Sequence, residues 1–184
     1  MSIETLKAAI PDYARDIKLN LSSIAADQTL SPQRLWGAML ASALAGREPR
    51  TVAAIQAGAA AHLPPQALAA AKTAAALMAM NNVYYRFTHL VSSKDYEKMP
   101  AKLRMNAMVN PGVGRAEFEL WSLAVSAING CGKCMDAHEA ELRKAGVTAQ
   151  EIQAAVRVAA VVHAVSAVLD NEAEAGAEPK AQAA

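Results

Sequence analysis

Several things are scarce or missing in this sequence, and each absence narrows the answer. No charged stretch followed by an apolar run, and no small-residue cleavage site, opens the chain at Met1-Ser-Ile-Glu-Thr-Leu-Lys7, so no export is expected. Neither sign of charge dominates: 18 basic and 17 acidic residues leave +1, without a long basic run or a basic face interleaved with aromatics. That excludes nucleic acid as an expected partner. The uncharged stretch Thr51 to Ala71 is broken by Pro64-Pro65 and polar residues, so no membrane span is expected. No segment of four to eight residues alternates apolar and polar in the manner of a strand, which leaves the all-α class. Cysteine is limited to Cys131 and Cys134. A close pair in a chain without an export signal reads as redox chemistry or metal rather than stapling, and the expected compartment is the cytoplasm.

What is abundant is alanine, roughly a quarter of the residues, so the 53% hydrophobic fraction overstates the supply of large core side chains. Alanine favours helix and lets helices approach closely. At 184 residues the chain suits one domain, 1–184, or two small halves sharing a core.

Helix signals punctuate the chain. A short helix is expected from Ile3 and a longer one after Pro11-Asp12, ending near Asp27. Ser31-Pro32 offers a hydroxyl N-cap with proline at the first helical position, leading to a stop at Gly46, and a further helix is expected from about Glu48 to Ala61. Pro64-Pro65 opens an Ala-rich helix with Leu68, Ala71, Ala75 and Met78 on one face, ended or bent at Asn81-Asn82 and resumed through Tyr84, Tyr85 and Phe87 to Val91. Residues 92–113 read as a connector with a helical piece near Leu103 to Met108. Helix returns from Arg115 to Ile128 and from Gly132 to Lys144, where Ala145-Gly146 is a stop. Thr148 with Glu151 is a capping box for a last helix through Leu169, and the tail 172–184 is expected to be flexible.

Shifting the chain by 84 positions lays Ser42-Ala43 on Ser126-Ala127, Gly46 on Gly130, Gln66 on Gln150, and Ala70, Ala71, Ala75 and Ala76 on Ala154, Ala155, Ala159 and Ala160. This suggests tandem helix-turn-helix units at about 35–91 and 119–171, although alanine-rich stretches match one another cheaply. Under that register Arg47, Arg50 and Ala54 stand where Cys131, Cys134 and His138 stand in the second copy. Chemistry would belong to the second copy alone.

The chemically dense stretch runs from Glu119 to His138. Cys131, Cys134 and His138, spaced three then four, share one helical stripe. Gly130 and Gly132 place Cys131 near a helix N-terminus, where the dipole and the CxxC pairing lower a thiol from its usual pKa of ~8.5. By that argument alone Cys131 is the better thiolate. His138 is one turn from Cys134 and can exchange a proton with it directly or through a water. If Asn129-Gly130 reverses the chain, Glu119 returns alongside and can orient His138. The competing readings are a structural cysteine pair with His138 as a packing or surface residue, and a zinc site whose fourth ligand would have to be Asp136 or a distant histidine. His62, His89 and His163 read as packing or surface residues, and Trp36 and Trp121 as core. Lys133 is either a solvated charge or a local positive field favouring thiolate.

Glu119, Cys131-Gly-Lys-Cys134-Met-Asp-Ala-His138, Asn81-Asn82-Val-Tyr-Tyr-Arg86 and the Pro111-Gly-Val113 before the Glu119 helix resemble the alkyl hydroperoxide reductase D family of the carboxymuconolactone decarboxylase-like superfamily. The resemblance covers nearly the whole chain. It implies an all-helical fold with a duplicated helical hairpin, a homotrimer, and an antioxidant alkyl hydroperoxidase that works through a Cys131–Cys134 disulfide. It also implies roles: Cys134 is peroxidatic and becomes a sulfenic acid, Cys131 donates a proton and then resolves it, and Glu119 with His138 forms a proton relay. With His138 one turn from Cys134, these roles are preferred to the dipole argument. No bound cofactor is implied. Dihydrolipoyl groups on a 2-oxoacid dehydrogenase acyltransferase would supply electrons, as for a lipoyl-dependent peroxidase, and the peroxiredoxin subunit of alkyl hydroperoxide reductase would accept them through a mixed disulfide with Cys134. Family members often carry histidine where this chain has Lys133, and a lysine is a poor proton shuttle near pH 7. Two other outcomes stay open: a thiol-disulfide adaptor without peroxidase activity of its own, and lactone decarboxylation.

Overall fold

The structure is a computed structural model that describes residues 2–175. Among them only helices and two single 3₁₀ turns occur: α1 (Ile3–Ala9), α2 (Arg15–Ala26), α3 (Pro32–Gly46), α4 (Pro49–His62), α5 (Pro65–Leu90), α6 (Asp95–Lys98), α7 (Arg115–Ile128), α8 (Gly132–Lys144) and α9 (Ala149–Ala175). The all-α expectation is met.

Local chemistry sets most of these boundaries. Ser31 Oγ accepts the Arg34 amide at 3.3 Å and Pro32 fills the first turn, where a missing N–H costs nothing. The Thr148 hydroxyl and amide both donate to Glu151 Oε2, at 2.8 and 2.9 Å, while the Glu151 amide donates back to Thr148 Oγ1, so the capping box forms. α4 is capped less conventionally, by Glu48, whose Oε2 accepts both the amide and the hydroxyl of Thr51 at 2.7 Å. Burial pushes the Glu48 carboxyl up; the hydrogen bonds from Arg50 and Thr51 more than reverse this and hold it below the ordinary glutamate range.

α3 and α7 form the centre. Gly37 through Ala43 are buried without a break, as are Phe118 through Ser126, so both helices are enclosed on all sides. They approach closely because Gly37 has no side chain: a Cβ there would lie 2.1 Å from the ring of Trp121. The same indole is fully buried and donates from Nε1 to the Arg34 carbonyl at 3.2 Å. α5 and α9 flank the central pair, α4 covers α3, and α8 packs on α7 and α5. The Ala149–Ala173 stretch of α9 is long and apolar enough to cross a membrane by length and composition, but it serves as a core helix against α2, α3 and α7.

Four expectations need correction. Asn81-Asn82 does not end α5, which runs on to Leu90, because the Asn82 carboxamide bonds to Ser126 of α7 and to Asn129 instead of competing for its own backbone. In the connector, the helical piece near Leu103 to Met108 shrinks to the 3₁₀ turn Asn106–Met108, after Lys102 with φ +52, and α6 went unforeseen. Glu172 is no start of a tail: α9 runs to Ala175, and Glu172 accepts a hydrogen bond from Tyr13 at 3.0 Å, while the remainder of the expected tail lies outside the described residues. Trp36 is half-buried rather than core, stacked on the exposed His62 with ring centroids 4.6 Å apart.

Candidate active site

The site is built by one reversal of the chain. α7 ends in a Schellman arrangement: Gly130 takes φ +66, its amide donates to the Ala127 carbonyl, and the Cys131 amide donates to the Ser126 carbonyl at 3.1 Å. Cys131 is at once the end of that motif and the N-cap of α8, with no capping side chain of its own. α8 therefore starts with no spacer and runs back along α7. The turn is pinned from α5: Asn82 donates to Ser126 Oγ and accepts from Asn129 Nδ2, both at 2.9 Å, and Arg86 donates to the Asn129 carbonyl at 2.6 Å.

This reversal brings Glu119, Cys131, Cys134 and His138 together. Cys131 and Cys134 are disulfide-bonded. Cys134, His138 and Leu142 form the buried stripe of α8. His138 Nδ1 lies 2.6 Å from Glu119 Oε2, and both residues are at most 5% exposed. A carboxylate can only accept, so Nδ1 carries the proton and Nε2 is the nitrogen left for exchange. Nε2 faces Met78 Sδ at 3.2 Å. The other oxygen of Glu119 is held by Arg115 at 3.1 Å, one turn back on α7.

The two sulfurs differ in access. Cys131 is completely buried, whereas Cys134 and His138 line a cleft of about 450 Å³ whose other walls are Met78, Asn81, Tyr85, Met105, Met108, Val109, Lys133 and Ala137. The wall is mainly hydrocarbon and thioether. Sequence patterning missed most of it: Met78 was legible only as one residue of an apolar helix face, and Met105, Met108 and Val109 come from a connector with no periodicity. Arg115 also went unread; its position one turn before Glu119 was the available signal. His89 and His163 are exposed, in keeping with surface roles. Among the described residues no three His, Cys, Asp or Glu side chains converge in a metal-binding arrangement.

Fold and site together define an all-helical protein organised around a CxxC disulfide backed by a buried carboxylate–imidazole pair. The carboxymuconolactone decarboxylase family matches residues 94–178, which take in that whole constellation. The chain is 62% identical over 173 residues to alkyl hydroperoxide reductase AhpD of Bradyrhizobium sp. (strain BTAi1), covering 94% of this chain and 96% of that one. It is 60% identical to the AhpD of Maricaulis maris, covering 94% of this chain and 99% of the relative. Against that of Rhodopseudomonas palustris (strain BisB18) it is 58% identical over its full length, covering 99% of the relative. The chain belongs to the alkyl hydroperoxide reductase AhpD family.

Proposed function

We propose that this protein is an alkyl hydroperoxide reductase that cycles the Cys131–Cys134 pair between dithiol and disulfide. The observation that carries the reading is that Cys134 and His138 share the wall of an apolar cleft with the buried Glu119 behind them, while Cys131 is sealed from it. In the dithiol form, Cys134 thiolate attacks the terminal oxygen of ROOH; the O–O bond breaks, ROH leaves with a proton that the Cys131 thiol donates and the relay replaces through His138 Nε2, and Cys134 becomes a sulfenic acid. Cys131 thiol then attacks the Cys134 sulfur, water leaves, and the disulfide forms. Glu119 keeps Nδ1–H oriented and offsets the imidazolium charge, with Arg115 holding its second oxygen. An external dithiol returns two electrons and two protons.

The finer parts of the reading rest on family membership. Dihydrolipoyl groups on a 2-oxoacid dehydrogenase acyltransferase serve as the dithiol, and no cofactor is bound. A peroxiredoxin subunit is the partner reduced through a Cys134 mixed disulfide. The working form is a cytoplasmic homotrimer of single-domain chains, with α3–α5 and α7–α9 as tandem copies. The register of 84 lays each helix of the first set within two residues of its counterpart in the second, which supports that last element.

Stopped-flow oxidation of the dithiol form by an organic hydroperoxide tests the proposal. Rapid consumption that disappears in Cys134→Ser is expected; full turnover in that variant would sink it. Negligible consumption together with a trapped peroxiredoxin adduct in Cys131→Ser would instead identify an electron-transfer adaptor. Lactone turnover that survives alkylation of both thiols would identify a decarboxylase.

A further inference from the structure

Two polar side chains on the cleft wall have no part in the relay. Lys133 is half-buried, at the second position of α8, where its charge faces the positive end of the helix dipole. Helix stability therefore does not account for a cation there. Among the described residues Lys133 forms no ion pair, Asp136 one turn on included, and no acidic side chain lines the cleft. Asn81 is 3% exposed; its Nδ2 makes only a long contact of 3.6 Å to Met108 Sδ, and its Oδ1 is buried without a partner. A buried acceptor without a donor is uncommon in a folded protein and calls for one.

We propose that the cleft selects organic hydroperoxides that carry an anionic group on the same molecule. Lys133 Nζ pairs with that group, a carboxylate, at the more exposed end of the cleft. Asn81 Oδ1 accepts the O–H of the hydroperoxide at the buried end, beside Cys134, and the chain between them lies on Met78, Tyr85, Met105 and Met108. Lys133 and Cys134 are neighbours in the first turn of α8, so the carboxylate and the reacting sulfur are held by one helix end. The inference rests on Cys134 being the sulfur that meets peroxide.

The test is the second-order rate constant for oxidation of the dithiol protein by ω-hydroperoxyoctanoic acid and by its methyl ester. The acid should react roughly tenfold faster than the ester in the unmodified protein, the size of one charge-assisted hydrogen bond. That ratio should collapse towards one in Lys133→Gln, persist in Lys133→Arg, and shrink with added salt. Any effect of Lys133 on the thiolate itself cancels in the ratio. Asn81→Ala should slow both compounds by a common factor and leave the ratio intact. Equal rates for acid and ester in the unmodified protein, or a ratio that survives Lys133→Gln, would overturn the proposal. Failure of both compounds to oxidise Cys134 would overturn the peroxidase reading beneath it.

Discussion

The hairpin α3–α4 and the hairpin α7–α8 use the same local device, a tight turn between two packed helices, for opposite ends. In the first, the turn is closed on itself. Glu48 caps α4, and Arg50 donates from Nε to Glu48 at 2.8 Å and from a second nitrogen to the Leu169 carbonyl of α9. In the second, the N-terminus of α8 has no side-chain cap, and the positions corresponding to Arg47, Arg50 and Ala54 hold Cys131, Cys134 and His138. Leu35, which is buried, stands where Glu119 stands. One scaffold thus yields a polar lock in one half and a polarised pocket in the other: four side chains differ, and the left-handed residue of the turn is Arg47 (φ +64) in the first and Gly130 (φ +66) in the second.

Substitutions that cross this division should have unequal effects. The largest is on chemistry: His138→Gln should slow peroxide consumption by about 10²–10⁴, the usual contribution of a positioned acid–base group, measured as the rate of dithiol oxidation; a loss under tenfold would remove His138 from the relay. Next comes the joint between the halves. Gly37→Ala forces a methyl group into the Trp121 ring and should cost about 1–3 kcal/mol in denaturant unfolding; a neutral result would mean that α3 and α7 lie further apart than described. Arg50→Gln should cost about 1–2 kcal/mol by removing charged hydrogen bonds from the lock, with the peroxide rate unchanged. A fall in rate without loss of stability would show that the first hairpin takes part in the chemistry after all.

The smallest expected effect is on acid sensitivity. Because the folded-state pKa of Glu48 is depressed, its contribution is fully present above the ordinary value of 4.5 and fades as pH falls through the lower folded value. Stability measured against pH below about 4.5 should therefore decline less steeply in Glu48→Gln than in the unmodified protein. An identical slope would mean that the carboxyl is no better held in the folded state than in the unfolded one.

How much of this was legible before the structure depended on the range of the forces involved. Ser31-Pro32, Gly146 and the Thr148–Glu151 box act within one turn, so the helix ends they set could be read directly. The stripe of Cys131, Cys134 and His138 was legible for the same reason, since three- and four-residue spacing decides a helical face. Glu119 was legible only conditionally, through what Asn129-Gly130 would do to the chain. Asn82 misled, because its partners Ser126 and Asn129 are 44 and 47 residues away. The connector's side of the cleft could not be read: Met105, Met108 and Val109 reach it from a segment whose path follows tertiary contacts rather than any repeat of its own.

The claim at the centre of the account is that the two cysteines are unequal and that Cys134 is the one that meets peroxide. It is tested most directly by mass spectrometry of the reduced Cys131→Ser variant after one equivalent of an alkyl hydroperoxide. A gain of one oxygen located on Cys134 is the predicted result. A Cys131→Ser protein that stays unoxidised, alongside a Cys134→Ser protein that gains the oxygen on Cys131, would contradict it.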